Sequence, residues 1–375
     1  GLGFINFLLG TQFYSAVIRE ILANPEAYGR SEYGRDEKVM VEFVSANPTG
    51  PMHMGNARGG ALGDCLAAVL DKAGYNAWRE FYVNDAGNQI EKFGCSLEAR
   101  YLQIFKGDEI EFPEDGYQGE DIKDLAKEYA DLNGDSLVNV SAEERKKALV
   151  DYALPKNIKK MQADMEKYKI FYDKWFFESE LHKSGAVKAV VDLLTKKGLT
   201  YEKEGAVWYK NKEVLTQKLL KEGKSQKYID NLELKDDVLI RQNGNPTYFT
   251  ADIAYHKNKF DRGFTTLIDV WGADHHGHVM RMKGAMDAIG YDGDKLNVVL
   301  MQLVKLVKDG ELVKMSKRTG KAIQLGDLLD EVPVDSARFL FNTKEANTQM
   351  DFDQEFAVSS SHLQKRAFLR ENVQT

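Results

Sequence analysis

The spacing of apolar residues predicts alternating strands and helices near the start of the chain. Residues 39–44, VMVEFV, predict a strand, and residues 77–83 predict a second one. Between them, apolar side chains including Leu62, Leu66 and Val69 recur on one face, which predicts a helix over about 57–72 that stops before Gly74. Strand, helix and strand in this order begin a βαβ unit, so a parallel sheet is expected.

The pattern changes in the middle of the chain and then returns. Residues from about 96 to 169 predict long, charged helices, and residues 200–249 predict short strands joined by turns. Residues 266–271, TLIDVW, predict another strand, which a loop over 272–278 and a helix ending at Gly290 follow. Asp309-Gly310 between two apolar runs predicts a two-residue hairpin. Together these elements predict one nucleotide-binding sheet interrupted by a large insertion.

Both ends of the chain are expected to belong to larger structures. An apolar helical pattern between Phe4 and Leu22 needs a partner surface, and the last twenty residues show no cap or turn. The chain is therefore expected to be a fragment of a longer polypeptide.

Composition narrows the class of protein. Of 375 residues, 43% are apolar and 29% are charged, as in ordinary globular proteins, and two cysteines exclude a disulfide framework or a four-thiolate zinc site. The net charge of −7 argues against a general polyanion binder but leaves room for a local basic face. The two cysteines make a reducing, cytoplasmic location the default expectation. No membrane span is expected, because no apolar run approaches the roughly 18 residues that one needs.

The first candidate motif is His53-Met54-Gly55-Asn56, between the first strand and its helix. Ligands of open parallel sheets bind beyond the carboxyl ends of the strands, where a helix N-terminus offers free N–H groups to phosphate. Gly55 would let a flat base approach the backbone, and His53 could donate to a phosphate oxygen as charge develops. The alternative is a turn whose histidine only caps the helix.

The second candidate motif is the basic segment Lys314-Met315-Ser316-Lys317-Arg318-Thr319-Gly320. Its ammonium groups suit the stabilisation of charge on a leaving pyrophosphate. The alternative is a solvated basic turn.

Together, the two motifs resemble the HIGH and KMSKS signatures of class I aminoacyl-tRNA synthetases. Further segments are similar to arginyl-tRNA synthetases: residues 41–60 (VEFVSANPTGPMHMGNARGG), 81–90 (FYVNDAGNQI), 246–256 (PTYFTADIAYH), 269–279 (DVWGADHHGHV) and 313–320 (VKMSKRTG). The match is close over 38–95 and 165–357 and loose over 96–164.

The resemblance implies a fold, a domain division and a reaction. The fold would be α/β, a Rossmann-type doubly wound parallel sheet with an α+β insertion. Residues 1–35 would be the remnant of an N-terminal tRNA-binding domain. Residues 36–357 would be the catalytic domain, interrupted at about 96–245. Residues 358–375 would begin a linker to an anticodon-binding domain. The protein would be a monomeric arginine–tRNA ligase acting on L-arginine, ATP with Mg²⁺, and tRNA(Arg).

The resemblance also implies the site residues. The implied arginine pocket consists of Glu42, Ser45, Asn47, Asn56, Tyr248, Asp252 and His275. The implied ATP site consists of His53, Gly55, Asn56, Asp274, His278, Lys314, Ser316 and Lys317. His53, Asn56, Lys314 and Lys317 would act in catalysis. Which histidine of residues 275–278 contacts which ligand stays open.

The residue types fit these roles. A guanidinium seeks carboxylates, and Glu42 lies in an apolar strand, a poor place for a charge unless it is paired, although it could also face outward from a half-exposed strand. Asn56 replaces the fourth HIGH residue and can donate a hydrogen bond but carries no charge, so a neutral contact is expected. The histidines near 275 could suggest a metal, but consecutive His275 and His276 rarely both ligate one ion, so no metal site is predicted.

Two rival functions remain. One is a nucleotidyl transferase of the same fold for another amino acid, which the carboxylates Glu42 and Asp252 disfavour. The other is a relative that binds RNA or a protein without turnover, which the intact basic segment disfavours.

Overall fold

A computed structural model describes residue 3 and residues 5–308, 311–312, 324–353 and 357. The strands are β1 (Lys38–Glu42), β2 (Asn76–Val83), β3 (Lys174–Phe177), β4 (Thr200–Lys203), β5 (Ala206–Tyr209), β6 (Asp237–Ile240), β7 (Thr266–Gly272), β8 (Leu296–Met301), β9 (Val304–Lys308), β10 (Glu311–Leu312) and β11 (Met350–Asp353). The α-helices are α1 (Thr11–Ala23), α2 (Met54–Lys72), α3 (Asn88–Lys106), α4 (Glu120–Asn133), α5 (Ala142–Lys167), α6 (Glu178–Lys183), α7 (Ala186–Lys196), α8 (Asn211–Lys221), α9 (Gln226–Asp230), α10 (Tyr248–Asp261), α11 (His276–Ile289), α12 (Leu325–Glu331) and α13 (Val334–Phe341).

The main sheet is parallel and has the strand order β3-β2-β1-β7-β8. The chain leaves β1 towards β2 on one side, and β7 lies on its other side. A crevice forms where the strand order reverses in this way, and ligands of such sheets bind there. The predicted doubly wound α/β fold is therefore confirmed, with its switch point between β1 and β7.

Two separate apolar cores lie on the two faces of the sheet. Because strand side chains alternate, Val41 and Phe43 face α2, whereas Met40 and Leu267 face α10 and α11. The helix α2 packs very closely against the chain at the end of β1. A Cβ at Gly63 would overlap the ring of Phe43, so only glycine fits there. A third core holds α3, α4 and α5 together within the insertion.

Several sequence predictions agree with the structure. The strands β1, β2 and β7 lie within one or two residues of their predicted bounds. Lys308 pairs with Glu311 in an antiparallel ladder, as a two-residue hairpin at Asp309-Gly310 requires, although those two residues lie outside the described part.

Other predictions were wrong. The strand β3 belongs to the main sheet although it lies inside the predicted insertion of about 96–245, so that insertion is two segments rather than one. Residues 200–249 contain the helices α8 and α9 as well as strands, and α11 begins at His276 inside the predicted loop. The first helix starts only at Thr11, and most of its apolar side chains are exposed.

One buried arginine ties α2 to the chain just before β9 and just before β11. The guanidinium of Arg58 is buried and donates to the carbonyl oxygens of Gln302 (3.0 Å), Thr348 (2.9 Å) and Glu345 (2.8 Å). Gln302 lies two residues before β9, and the chain continues from β9 towards the basic segment. Arg58 therefore fixes the start of that strand against the helix that carries the HMGN motif.

In the part of the chain that the structure describes, no helix has both the length and the apolar character needed to cross a membrane.

We expect Arg58→Met to lower the free energy of unfolding by about 3 kcal/mol, because it removes three hydrogen bonds from a charged donor, each worth about 1 kcal/mol or more. Chemical denaturation measures the change, with the exposed Arg19→Met as a control. A loss below about 1 kcal/mol would show that the three carbonyls find other partners.

Candidate active site

The turn after β1 is strained at the switch point. Val44 has φ of 72° and Ser45 has φ of 44°, in the left-handed region that a β-branched residue rarely adopts. The Ser45 hydroxyl donates to Glu42 Oε1 at 2.7 Å, and its oxygen accepts from the backbone N–H of Tyr82 at 3.2 Å. Such strain costs about 1–3 kcal/mol and is typically found at functional sites. Here it turns the chain back over β1 and directs Ser45 towards Glu42.

The HMGN motif forms the N-terminus of α2. His53 is the N-cap residue, and the Asn56 side-chain oxygen accepts from the His53 backbone N–H at 2.9 Å. An added Cβ at Gly55 would meet no described atom within 4 Å, so the surface above it is open. Because the amide oxygen of Asn56 is already bonded, its NH₂ group is the part left to meet a ligand.

The chain that follows the basic segment is paired with this motif. Gln324 forms an antiparallel bridge with His53, and the N–H of Leu325 donates to the carbonyl of Met52 at 2.8 Å. Lys314, Ser316 and Lys317 themselves lie outside the described residues, as do residues 358–375.

A second group of predicted residues lies on α10 and α11. Tyr248 and Asp252 are one turn apart on α10, and Asp252 Oδ2 lies 3.1 Å from His278 Nε2 on α11. The His278 ring also packs edge-on against Phe249, with the ring centroids 5.6 Å apart. His278 was predicted for ATP and Asp252 for arginine, but the structure brings the two together.

The remaining predicted residues are more open to solvent. Asn47 and Tyr248 are exposed, and so are Asp274 and His275, which lie in the short turn between β7 and α11. Their positions leave them available to a ligand.

One candidate residue was missed from the sequence. Glu178, the first residue of α6, directly follows β3 and is buried. Its carboxylate accepts from the Tyr82 hydroxyl at 2.8 Å and lies 3.2 Å from His182 Nε2. Burial raises the pKa of Glu178, and the charge of Asp252 contributes in the same direction. The sequence feature that could have identified Glu178 is a carboxylate directly after the apolar run WFF at 175–177. Glu42 follows the apolar run of β1 in the same way.

Three buried carboxylates lie side by side across the sheet. Glu80 of β2, Glu42 of β1 and Asp269 of β7 are register partners on neighbouring strands, and all three are buried. Below, they are called the carboxylate row. Their face of the sheet is covered by α10, so these charges must be paired within the protein.

The helix α10 supplies the partners. The Lys259 ammonium, fully buried, donates to Glu42 Oε2 and to Asp269 Oδ1, the latter at 2.8 Å. The Arg262 guanidinium donates two hydrogen bonds of 2.7 Å to the Glu80 carboxylate, one to each oxygen. His256 Nε2 lies 2.7 Å from Asp269 Oδ2, and its Nδ1 lies 2.7 Å from the backbone oxygen of Asp252.

Protonation follows from these contacts. Burial opposes ionisation of Asp269, but the Lys259 ammonium and His256 still lower its pKa to about 2. Burial also opposes the charge of Lys259, yet Asp269 and Glu42 raise its pKa. For Glu42 burial prevails and raises the pKa, although the Lys259 ammonium acts against it. Lys259 therefore favours the charged form of both Glu42 and Asp269.

Among the described residues, no group of three or more histidines, cysteines and carboxylates has an arrangement that could hold a metal ion.

The family is decided by comparison with known proteins. Residues 17–362 match the family model described as tRNA synthetases class I (R), catalytic domain. The chain belongs to this family. The resemblance first noted in the motifs thus extends over nearly the whole chain.

Relatives within the family are similar at high identity. Arginine--tRNA ligase from Ruminiclostridium cellulolyticum is 56% identical over 364 residues, which cover 96% of this chain and 62% of that protein. The corresponding protein of Acetivibrio thermocellus is 55% identical, with the same coverage. The chain thus spans about three fifths of the length of these relatives.

Solved structures of the family share the fold. A crystal structure assigned to an arginyl-tRNA synthetase from Campylobacter jejuni is 35% identical, has a TM-score of 0.81 and covers 97% of this chain and 75% of its own. Arginyl-tRNA synthetase from Thermus thermophilus, at 19% identity and a TM-score of 0.63 over 98% of this chain and 69% of its own, shows the fold alone.

We expect Asn56→Ala to destabilise the protein by about 1 kcal/mol, the usual cost of losing a side-chain acceptor at a helix N-terminus. Asn56→Asp keeps an acceptor oxygen at the same place and should remain near the parent. Chemical denaturation of both variants measures the difference. Equal stability of the alanine variant and the parent would show that the hydrogen bond to His53 contributes nothing.

Proposed function

We propose that this chain is the catalytic region of an arginine–tRNA ligase, which activates L-arginine with ATP and transfers it to the 3′-terminal adenosine of tRNA(Arg). The observation that carries the proposal is one crevice with two kinds of wall. Buried or half-buried carboxylates lie beside β1, β3 and α10, and the N-terminus of α2 lies at the same end of the sheet. A substrate with a cationic side chain and a reaction at a phosphate suit these walls.

The acidic wall is proposed to bind the guanidinium. Asp252 and Glu178 are its best-placed carboxylates, because Glu42 is already paired with the ammonium of Lys259, whereas their own partners are a hydroxyl and two imidazoles. Planar guanidinium groups bind carboxylates through paired hydrogen bonds. Glu42, Ser45, Asn47, Asn56, Tyr248 and His275 are proposed to complete the arginine pocket.

The other wall is proposed to bind ATP. His53, Gly55 and Asn56 present a helix N-terminus, whose N–H groups and dipole favour phosphate. Asp274, His278, Lys314, Ser316 and Lys317 are proposed to complete the ATP site, and Mg²⁺ would arrive bound to ATP.

The proposed reaction needs no side-chain nucleophile. An arginine carboxylate oxygen attacks the α-phosphorus, the bond to the bridging oxygen breaks, and pyrophosphate leaves. The terminal ribose hydroxyl of tRNA then attacks the carbonyl carbon and AMP leaves. His53, Lys314 and Lys317 would stabilise the charge that develops on the phosphates, so that positioning and electrostatics supply the rate.

The direct test is the arginine-dependent exchange of labelled pyrophosphate into ATP by this chain, with and without tRNA(Arg). Arginine should support exchange, and lysine should not, because a compact ammonium cannot span two carboxylates as a guanidinium does. Exchange with another amino acid, or tRNA binding without any exchange under either condition, would contradict the proposal.

We expect Asp252→Asn to weaken arginine binding by two to four orders of magnitude, because breaking a buried charged pair typically costs about 3–5 kcal/mol. The amide keeps the shape but turns a donor towards the guanidinium. ATP affinity should change less than about threefold, because the amide keeps one oxygen that can still accept from His278. Calorimetric dissociation constants for both ligands test this.

Asp261→Asn is the matched control, because Asp261 lies on the same helix but pairs with Lys257 at its other end. If arginine affinity changes less than about threefold in Asp252→Asn, or if ATP affinity falls as far as arginine affinity, Asp252 is not the guanidinium partner.

We expect Lys317→Ala to slow adenylate formation by about a hundredfold, the typical loss when one preorganised charge donor is removed. Arginine affinity should stay near that of the parent. Pyrophosphate exchange and calorimetry measure the two quantities, with the exposed Lys305→Ala as a control from nearby β9. Equal exchange rates for Lys317→Ala and the parent would remove Lys317 from the mechanism.

A further inference from the structure

The carboxylate row joins the helix α10 to the sheet through charges whose burial costs desolvation free energy. Buried ion pairs seldom stabilise a protein more than well-packed apolar side chains of similar size would, because both charges lose their hydration. The neighbouring positions on the same face of the sheet are apolar, including Met40 and Leu267. The charges of the row therefore call for an explanation other than stability.

The row fixes the position of α10 along the sheet. Lys259 bonds to β1 and β7, whereas Arg262 and Tyr255 bond to Glu80 of β2, the Tyr255 hydroxyl at 2.9 Å. A shift of α10 by one helical turn, about 5.4 Å, would break all of these contacts at once. Apolar packing is less directional and would tolerate small shifts more easily.

The helix α10, held in this way, carries Asp252 of the proposed guanidinium site near its N-terminal end. His256 connects the two parts directly, because one ring nitrogen contacts Asp269 in the row and the other contacts the backbone oxygen of Asp252, each at 2.7 Å. The position of Asp252 is thereby tied to the strand β7.

Lys259 also touches the arginine pocket through Glu42. One carboxylate oxygen of Glu42 accepts from Ser45 and the other from Lys259. Without the ammonium, Glu42 would be a buried carboxylate beside Asp269, and both burial and that neighbour favour its protonated form.

We propose that Lys259 is a positioning residue for arginine recognition, which keeps Glu42 ionised and holds α10 in the register that aims Asp252 at the substrate cation. This inference rests on the proposed function and deepens it. Lys259 itself is fully buried and would not touch arginine.

The charged and titratable groups around Glu42 come from each element packed against it. They are Glu80 and Tyr82 on β2, Tyr172 just before β3, Asp269 on β7, Asp252, Tyr255, His256, Lys259 and Arg262 on α10, and Glu178 on α6. Among the described residues of α10, only Lys259 donates a hydrogen bond to the Glu42 carboxylate.

The test is the dissociation constant of arginine for Lys259→Met between pH 6 and pH 9, measured by calorimetry together with that of ATP. We expect arginine binding to weaken about tenfold or more near pH 6.5, the effect of losing a charged hydrogen-bond partner. The loss should shrink as the pH rises, because Glu42, with its pKa raised further by the substitution, ionises only at higher pH. ATP affinity should change less than threefold.

Lys259→Arg keeps the cation and should restore arginine affinity to within about threefold, with no new pH dependence. Lys218→Met is the matched control, because Lys218 also bridges two carboxylates, Asp287 and Asp294, on the far side of α11. It should leave arginine affinity unchanged at every pH. If Lys259→Met does not fold, the double variant Lys259→Met with Asp269→Asn, which removes one excess negative charge, takes its place.

The outcomes separate the two proposals. A parent chain that binds no arginine would contradict the proposed function. Arginine binding by the parent, with equal affinity and a flat pH profile in the folded Lys259 variant, would overturn the role of Lys259 alone. A loss of affinity that is the same at every pH would overturn the role of Lys259 in keeping Glu42 ionised, because the loss would then not depend on the protonation of Glu42.

Discussion

The ionic contact between α10 and the middle of the parallel sheet is the constraint on which the candidate site depends. Three carboxylates on adjacent strands meet a lysine, an arginine and a histidine on one helix. Charged groups taken out of water tolerate little displacement, since each lost partner leaves a buried charge exposed to a low dielectric. The fold thus exchanges some stability for a defined position of the helix that carries Tyr248 and Asp252.

The opposite side of the crevice is held by hydrogen bonds to backbone groups rather than by ion pairs with carboxylates. Arg58 fastens the approach to β9, and Gln324 and Leu325 pair with the HMGN turn. In the sequence, the basic segment therefore lies between two fixed points, Gln302 on one side and Gln324 on the other. Backbone carbonyls and N–H groups fix position without adding negative charge, which suits a wall proposed to face phosphates.

Long periodic segments were predictable from the sequence, and contacts between distant residues were not. β1, α2, β2 and β7 each carry a clear apolar pattern, and the motifs stand between them. β3 has four residues and follows a long charged helix, so its period was too short to identify, and Glu178 was missed with it. Glu42 was expected to need a partner, but Lys259 lies 217 positions away, and no local pattern connects the two.

The charges of the crevice are arranged along one direction. In the row, three carboxylates face two permanent cations, Lys259 and Arg262, and Asp252 and Glu178 add further negative charge nearby. At the other wall, the N-terminus of α2 is the positive end of a helix dipole. An amino acid with a cationic side chain carries the opposite polarity, because its carboxylate lies at one end and its guanidinium at the other. The field alone would therefore turn the carboxylate towards the proposed phosphate site, before any single hydrogen bond selects the substrate.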